Sequence, residues 1–351
     1  MSDPHGARDL ACLRLDSYNL ELQEDGGFVG DRVRSKAFAA VLDTLRDQRR
    51  QTGADPLGEV SSRDRPALDA LLNENGSIAA ELVKQAIEIY ACAFADVVRR
   101  FLADEAWHGT ERIAVGGGLR ENRIGEEAIR RAEAWLNSSG QTVELRPIRS
   151  DPDEAALLGA VHLCPSELLN GCEGMLAVDI GGSNLRAGVV LLNRHQATDF
   201  SASKVLLREH WRHGAEPVGR DATVDRLNGM LKKLVQQAEE AGVRLAPFVG
   251  LGCPGEIRSD GAITGGAQNL PGNWEAADFN LPERVRAALP VIDSRETVVV
   301  LHNDAVVQGL SELPFMRDVS RWGILTIGTG LGNARFTNTS HGKRVPDGHD
   351  A

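Results

Sequence analysis

Three glycine-bearing turns each follow an apolar segment typical of a buried strand, and this restricts the fold more than any other sequence feature. The apolar segments are residues 113–115, 175–180 and 323–327. Helical patterns, in which apolar residues recur every three or four positions, lie before and between them, and a long one follows Ser77. Strands, glycine turns and helices in this alternation predict an α/β fold.

The turn after residues 175–180 combines a carboxylate with glycines. Asp179 lies at the end of the strand, and Gly181 and Gly182 allow a tight hairpin that a ligand can approach closely. Free backbone N–H groups and the Ser183 hydroxyl can hold phosphate oxygens. Asp179 is placed to hold Mg²⁺ through water, since Mg²⁺ dehydrates reluctantly. The pattern also fits an ordinary glycine-rich hairpin.

The other two turns carry glycines without a carboxylate. The sequence Gly328-Thr329-Gly330 follows residues 323–327, so a strand again leads into glycines and one hydroxyl. The triplet Gly116, Gly117 and Gly118 follows residues 113–115, where its small backbone would let a flat ring lie close. A glycine triplet taken alone fits a plain loop equally well.

A fourth feature is Asn303-Asp304, which follows the otherwise apolar segment 297–301 and precedes a helical pattern. A carboxylate at that edge is placed to take a proton from a substrate hydroxyl. Asn303 offers both a donor and an acceptor to neighbouring hydroxyls. The alternative is that Asn303 or Asp304 only caps the following helix.

Composition narrows the function classes. The net charge of -11 argues against a large nucleic-acid surface, which requires an excess of Lys and Arg. No apolar segment is long enough to span a bilayer and no signal pattern begins the sequence, so the cytoplasm is the predicted location. The five cysteines have no spacing typical of a zinc or redox motif. A length of 351 residues suits two lobes.

Together these segments resemble the ROK family of sugar kinases and repressors, within the superfamily of actin, hexokinase and Hsp70. Residues 179–186 match its first phosphate motif, Asp-x-Gly-x-x-x-x-Arg, and residues 327–332 match its second. Residues 249–255 and 269–274 match its sugar-side segment, and residues 303–305 match its catalytic Asn-Asp. The resemblance implies a two-lobed actin-like, ribonuclease H-like fold and a glucokinase-like transfer of the ATP γ-phosphate to a hexose or N-acetylhexosamine.

The resemblance also implies roles for individual residues. Asp304 would be the catalytic base and would contact the sugar. Further sugar contacts would come from Gly255, Asn269 and Asn303. The residues implied in binding ATP and its phosphates are Asp179, Gly181, Gly182, Ser183, Arg186, Gly328, Thr329, Gly330, Gly116, Gly117 and Gly118. Asp179 would hold Mg²⁺ through water. The partners would be a sugar and ATP, with no nucleic acid or membrane, and a homodimer is left open.

The order of the motifs differs from that of the family. The glycine triplet and the segment 153–160 come last in a usual member, but here they precede the first phosphate motif. A circular permutation explains this, with most of the second lobe in residues 1–165, a linker at 166–174, the first lobe at 175–318 and the start of the second lobe at 319–351. Residues 324–327 should then share a sheet with 113–115, and 175–190 should lie in the other lobe. A fusion of two partial genes is the competing explanation.

Two family features are missing. The sequence has no Glu-x-Gly-His sugar motif and no zinc-binding Cys cluster, although His341-Gly342 and Asp347-Gly348-His349 lie in the corresponding region and Pro4-His5-Gly6 is another loose candidate. The sugar therefore stays open, and no structural zinc is expected. The family's DNA-binding repressors are disfavoured, because residues 1–72 contain no basic recognition helix. A catalytically weak sugar-binding regulator without a DNA-binding domain is the remaining alternative.

Overall fold

The computed structural model describes residues 5–10, 12–24, 26–74, 76–118, 122–216 and 218–339. The helices are α1 (Ala37–Thr52), α2 (Arg65–Leu71), α3 (Ile78–Ala103), α4 (Arg123–Ser138), α5 (Ala155–Gly159), α6 (Arg220–Glu240), α7 (Leu281–Ala288) and α8 (Asp304–Leu310). The strands are β1 (Asp9–Leu10), β2 (Leu13–Tyr18), β3 (Gln23–Glu24), β4 (Gly27–Phe28), β5 (Arg112–Gly117), β6 (Glu144–Pro147), β7 (Gly174–Ile180), β8 (Leu185–Leu191), β9 (Lys204–Trp211), β10 (Leu245–Cys253), β11 (Val291–Ile292), β12 (Arg295–Glu296), β13 (Val298–Asn303), β14 (Arg321–Ile327) and β15 (Leu331–Asn338).

Helix ends follow local sequence signals in several places. The Ser77 hydroxyl accepts a hydrogen bond from the Ala80 N–H at 3.0 Å, which caps the start of α3 as predicted. The apolar pattern after Asp153 predicts a helix over residues 153–162, but the α-helix is shorter. Helix α5 covers Ala155–Gly159 and tightens into a 3-10 helix over Ala160–Leu163. The predicted linker contains another 3-10 turn, Ser166–Leu169.

A five-stranded sheet carries the strands on either side of the first glycine turn. Its order is β13-β10-β7-β8-β9, in which β7, β10 and β13 are parallel and β8 is antiparallel to both of its neighbours. In chain order the strands therefore occupy positions 5-4-1-2-3 across the sheet.

A six-stranded sheet repeats this arrangement with a different chain order. It runs β1-β2-β15-β14-β5-β6, with β14, β5 and β6 parallel and β15 antiparallel to β14 and β2. If β14 is taken as the first strand, β15, β2, β5 and β6 fill the second to fifth positions of the same pattern. The two strands at the C-terminal end of the described chain thus complete a sheet whose other strands come from the N-terminal half.

Alternating side chains divide the interior into three apolar layers. On β5, Ile113 and Val115 face α1, α3 and α4, whereas Ala114 faces the other sheet. On β7, Leu176 packs on the side of α6 and α7, while Ala177 faces the six-stranded sheet. This period of two is the strand signature that the apolar segments of the sequence predict.

Helices α5 and α8 lie in the middle layer between the two sheets and cross at very short range. A Cβ on Gly159 would lie 1.8 Å from the Val307 carbonyl oxygen, so only glycine allows the backbones to approach this closely. On α8, a Cβ on Gly309 would lie 2.8 Å from the Phe336 ring of β15. These contacts fix α8, and Asp304 at its start, against both sheets.

The two mixed sheets with helices on their faces confirm the predicted α/β, actin-like fold class. Residues 324–327 pair in parallel with residues in β5, from Ile324↔Ala114 to Ile327↔Gly117, while β7 and β8 lie in the other sheet, as the sequence predicts. Strands β1 to β4 and β15 were not predicted individually. No helix among the described residues is long and apolar enough to cross a membrane.

Candidate active site

The edge formed by the carboxyl ends of β7, β10 and β13 brings the two candidate carboxylates together. Gly252 of β10 lies beside Asp179 of β7 on one side and beside His302 of β13 on the other. Asp304 follows β13 directly as the first residue of α8. Parallel strands end at the same edge, so two acids far apart in sequence lie near each other.

Asp304 has an environment that favours its protonated form. Burial, with a smaller contribution from the charge of nearby Asp179, raises the pKa of the Asp304 carboxyl to about 7, although a hydrogen bond from the Ala305 N–H opposes the shift. That N–H donates to Asp304 Oδ1 at 2.9 Å. A carboxylate with a pKa near neutrality can both take and release a proton under physiological conditions.

Asn303 caps the helix that Asp304 begins. Its Oδ1 accepts hydrogen bonds from the backbone N–H groups of Ala305 and Val306 at 3.0 and 3.3 Å, and its Nδ2 donates to the Gly255 carbonyl at 3.0 Å. Asn303 therefore caps α8, and its contact with a sugar stays a prediction. Among the described residues, its Nδ2 donates to one acceptor, the Gly255 carbonyl.

Only glycine fits at position 255. Its φ is +111°, and a Cβ there would lie 2.5 Å from the Gly265 carbonyl oxygen. The Asn303 amide ties this turn to the start of α8, so Gly255, Asn303 and Asp304 form one connected group.

Asp179 is held by Arg186 from the neighbouring strand. Arg186 Nη1 donates to Asp179 Oδ2 at 2.9 Å, and Nη2 donates to Asp153 Oδ1 at 2.6 Å. The Arg186 Nε–H is buried and is bonded to no residue among those described. Burial raises the pKa of Asp179, Asp153 adds to this, and Arg186 opposes it. Asp153, just before α5, is a site residue that sequence reasoning missed.

The first glycine turn meets the sugar-side segment. The Gly181 N–H donates to the Asn184 carbonyl at 2.8 Å, which closes the hairpin between β7 and β8. A Cβ on Gly182 would lie 3.1 Å from Asn269 Cβ. Two residues predicted for different ligands, Gly182 and Asn269, are therefore neighbours.

The other two glycine turns lie together on the six-stranded sheet. Gly117 pairs with Ile327, and a Cβ on Gly117, whose φ is +79°, would lie 2.3 Å from the Ile327 carbonyl oxygen. Gly116 contacts Gln308 of α8. The turn at Gly328–Gly330 closes through a hydrogen bond from the Gly328 N–H to the Gly330 carbonyl at 2.9 Å. Gly118 follows β5 directly and is exposed, and Thr329 and Ser183 lie at the tips of their turns.

Asp179 is the residue predicted to hold a metal ion at this edge. Within the described ranges, no three His, Cys, Asp or Glu side chains are grouped to bind a metal. The neighbouring charges of Asp179 and Asp304 nevertheless favour a cation, because each carboxylate is destabilised in the ionised form. This fits Mg²⁺, which takes one or two carboxylates together with waters and phosphate oxygens. The absence of a structural zinc stays a prediction, and residues 341–349 lie outside the described residues.

His302 supports the strand edge that carries Asn303 and Asp304, and it was not singled out from the sequence. Its Nδ1 accepts from the Asn303 N–H at 2.8 Å and its Nε2 donates to the Ala7 carbonyl at 3.0 Å. Burial lowers the pKa of His302 to about 4, so the ring is neutral. Its position at the end of an apolar strand, beside Asn303-Asp304, was the only signal in the sequence.

No protein-family model matches the chain, and no curated protein is significantly similar to it. Among solved structures, the chain is similar to the Lmo2764 protein of Listeria monocytogenes, a candidate N-acetylmannosamine kinase, with 26% identity and a TM-score of 0.34 over 50% of this chain and 52% of the other. It is also similar to an inorganic polyphosphate/ATP-glucomannokinase from Arthrobacter sp. strain KM, with 22% identity, a TM-score of 0.34 and coverage of 46% and 57%.

A third similar structure is a ROK family glucokinase from Streptomyces griseus in complex with glucose and AMPPNP, with 23% identity, a TM-score of 0.34 and coverage of 48% and 45%. The chain spans about half the length of each of these proteins. All three are described as kinases that act on sugars, and one as a ROK family member.

Proposed function

We propose that this protein is an ATP-dependent sugar kinase that transfers the γ-phosphoryl group of ATP to a hydroxyl of a hexose or N-acetylhexosamine. The observation that carries the proposal is the Asp304 carboxylate, whose pKa of about 7 suits a general base, placed beside Asp179 at a strand edge between glycine turns of both sheets. A phosphate-bearing donor and a hydroxyl acceptor are the substrates that such a set of groups fits.

In the proposed reaction, Asp304 orients the sugar hydroxyl and takes its proton as the hydroxyl oxygen forms a bond to the γ-phosphorus. The bond from that phosphorus to the β,γ-bridging oxygen breaks, and ADP leaves with the electron pair. N–H groups at Gly181 to Ser183 and at Gly328 to Gly330 would stabilise the negative charge of the phosphates. Catalysis of this kind relies mainly on positioning and electrostatics.

Asp179 would hold Mg²⁺, most directly through a water molecule, and the ion when bound neutralises charge on the β- and γ-phosphates. On the nucleotide side, Gly116, Gly117 and Gly118 would lie against adenosine. On the acceptor side, Gly255, Asn269 and the remaining Nδ2 hydrogen of Asn303 would contact sugar hydroxyls.

The second candidate is a catalytically weak sugar-binding regulator. The observation that favours it is the lack of the Glu-x-Gly-His motif anywhere in the 351 residues, which removes the sugar contacts that this motif provides in the resembled family. Such a protein would bind a sugar but transfer phosphate slowly or not at all.

A coupled ADP-release assay with ATP, Mg²⁺ and a panel of glucose, mannose, N-acetylglucosamine and N-acetylmannosamine tests the proposal. A sugar-dependent rate that is at least about tenfold above the sugar-free rate supports the kinase. Sugar binding by calorimetry without such a rate would support the regulator, and the absence of both would contradict both candidates.

We further propose that the chain is a circularly permuted kinase, with residues 1–165 and 319–351 forming the second lobe and residues 175–318 the first. Support comes from the repeated 5-4-1-2-3 strand pattern, in which β14 and β15 precede β2, β5 and β6 in structural order although they follow them in the chain. Each motif occurs once, which favours permutation over a fusion of two partial genes. The Thr339 N–H donates to the Cys12 carbonyl at 3.2 Å, so the two terminal regions lie close together.

A further inference from the structure

Residues 210–214, at the end of β9 and in the turn after it, lie against the first glycine turn. His213 Nε2 is 2.9 Å from the Gly181 carbonyl oxygen, and the Gly214 N–H donates to the Ser183 carbonyl at 3.0 Å. His210 Nε2 lies 2.9 Å from Asn184 Oδ1. We call residues 210–214 the clamp, because they hold the turn at three points.

His213 is the buried part of the clamp. Only 2% of its surface is exposed, whereas the flanking residues Arg212 and Gly214 are exposed. A carbonyl oxygen can only accept, so Nε2 must carry the hydrogen. The ring lies 5.7 Å from the Trp211 ring, which fixes its plane. A polar ring buried in this way directs its N–H at one atom, the Gly181 oxygen.

That hydrogen bond determines where the next N–H group points. In a trans peptide the C=O of one residue and the N–H of the following residue point in opposite directions. With the Gly181 carbonyl held by His213, the Gly182 N–H is directed away from the clamp. The Ser183 carbonyl is held by Gly214, which directs the Asn184 N–H away in the same manner.

Both of these N–H groups are unused within the hairpin. In a simple closed hairpin the Asn184 N–H would donate to the Gly181 carbonyl, but this carbonyl is bonded to His213 instead. Among the described residues, neither the Gly182 N–H nor the Asn184 N–H donates a hydrogen bond to a backbone carbonyl. Successive N–H groups left without an acceptor on a glycine turn are the kind of donors that bind phosphate oxygens.

We propose that His213 is a positioning residue of the phosphate turn, which by holding the Gly181 carbonyl directs the Gly182 and Asn184 N–H groups toward the phosphates of the nucleotide. The inference rests on the proposed kinase function for the identity of the ligand. It assigns a role in phosphate binding to a side chain outside every motif of the sequence. Without His213, the Gly181–Gly182 peptide is free to rotate and to present its carbonyl oxygen, which repels phosphate.

The test compares His213→Leu, His213→Gln and, as a matched control, His195→Leu on the same sheet's exposed β8–β9 connection. Leucine removes the donor, whereas the glutamine amide can still donate to the Gly181 carbonyl. We expect His213→Leu to weaken ATP binding by about 5- to 10-fold in calorimetry and to raise KM for ATP more than it lowers kcat. His213→Gln and His195→Leu should stay within about threefold of the wild type.

Hydrogen exchange of the peptide covering residues 178–186, measured without nucleotide, gives a readout that needs no activity. Exchange should be faster in His213→Leu than in the wild type, and unchanged in His213→Gln. The comparison requires that the two variants have similar melting temperatures. Wild-type ATP affinity in a folded His213→Leu protein, or equal losses in both His213 variants, would overturn the inference. If the wild type binds no nucleotide, the proposed function fails, and the exchange comparison alone decides whether His213 orders the turn.

Discussion

The five-stranded and six-stranded sheets share one strand arrangement but differ in what stands at their carboxyl edges. In the five-stranded sheet, the central strand β7 ends in Asp179-Ile180 and is followed by Gly181, and Asp304 follows β13. In the six-stranded sheet, strand β14 ends in Thr326-Ile327 and is followed by Gly328, and β5 ends in glycines. The acid of one sheet is thus matched by a threonine in the other.

This difference suggests that the two sheets contribute different groups to the proposed reaction. Carboxylates can take a proton and hold a metal ion, so the five-stranded sheet is suited to the chemical step. Glycine turns can only offer space and N–H groups, so the six-stranded sheet is suited to holding the nucleotide. Under the proposed function, the same backbone topology would support two roles, and the residues at two strand ends would separate them.

The largest effect should come from Asp304→Asn. Asparagine preserves the hydrogen bond from the Ala305 N–H and the start of α8, but it cannot accept the proton. We expect kcat to fall by roughly 10²- to 10⁴-fold with sugar binding retained. Steady-state kinetics together with sugar calorimetry would check this, and near-normal kcat would remove Asp304 from its proposed role.

A second comparison replaces one glycine in each sheet, with Gly182→Val set against Gly328→Val. A side chain at Gly182 meets Asn269 and covers the turn that is proposed to bind phosphate, whereas a Cβ at Gly328 has no atom within 4 Å. We expect ATP affinity to fall by about 10- to 100-fold for Gly182→Val and by less for Gly328→Val. Equal affinities in calorimetry for Gly182→Val and the wild type would contradict the assignment of this turn.

The matched strand ends allow a third test, Asp179→Asn against Thr326→Val. The first should raise the Mg²⁺ concentration needed for half-maximal rate by about 10-fold, since a residue that acts through bound water typically has effects of this size. The second should leave it unchanged. Titration of the rate with MgCl₂ distinguishes the two sheets, and equal responses would mean that Asp179 has no special role in holding the metal.

The same pair of variants gives a pH test of smaller size. Asp304 must be ionised to act as a base, so the rate should be lost as pH falls through the pKa of about 7 and be present above it. Because the charge of Asp179 contributes to raising that pKa, Asp179→Asn should move the midpoint to lower pH. A pH profile of kcat for the three proteins measures this, and an upward shift would contradict the direction of the coupling.

The smallest effect is expected from changing the chain order. A gene that begins at Gly171, runs to Ala351 and continues into residues 1–170 would place β14 and β15 before β2, β5 and β6. The sheets are stabilised by contacts between strands, which do not depend on the order in which the chain connects those strands. We therefore expect kcat within about threefold and a melting temperature within a few degrees of the wild type. A reordered protein that fails to fold would show that the present order is required.

The sequence by itself determined the strands that carry the motifs, because buried strands appear as short apolar segments and their turns as glycines. It also indicated that residues 324–327 and 113–115 belong to one sheet. It gave no signal for β2 or the extent of β15, whose pairing depends on a partner more than 300 residues away. Strand propensity is decided largely by neighbouring strands, which local sequence does not contain.

Only the tertiary structure decided the environment of the proposed site. The sequence placed Asp179 and Asp304 at strand ends, but their mutual effect on pKa arises from the parallel register of β7, β10 and β13. The clamp on the first glycine turn, and the contacts of Asp153 with Arg186 and of His302 with Asn303, arose in the same way. A residue type limits which chemistry is available, whereas distance and burial, which exist only after folding, determine what that residue does.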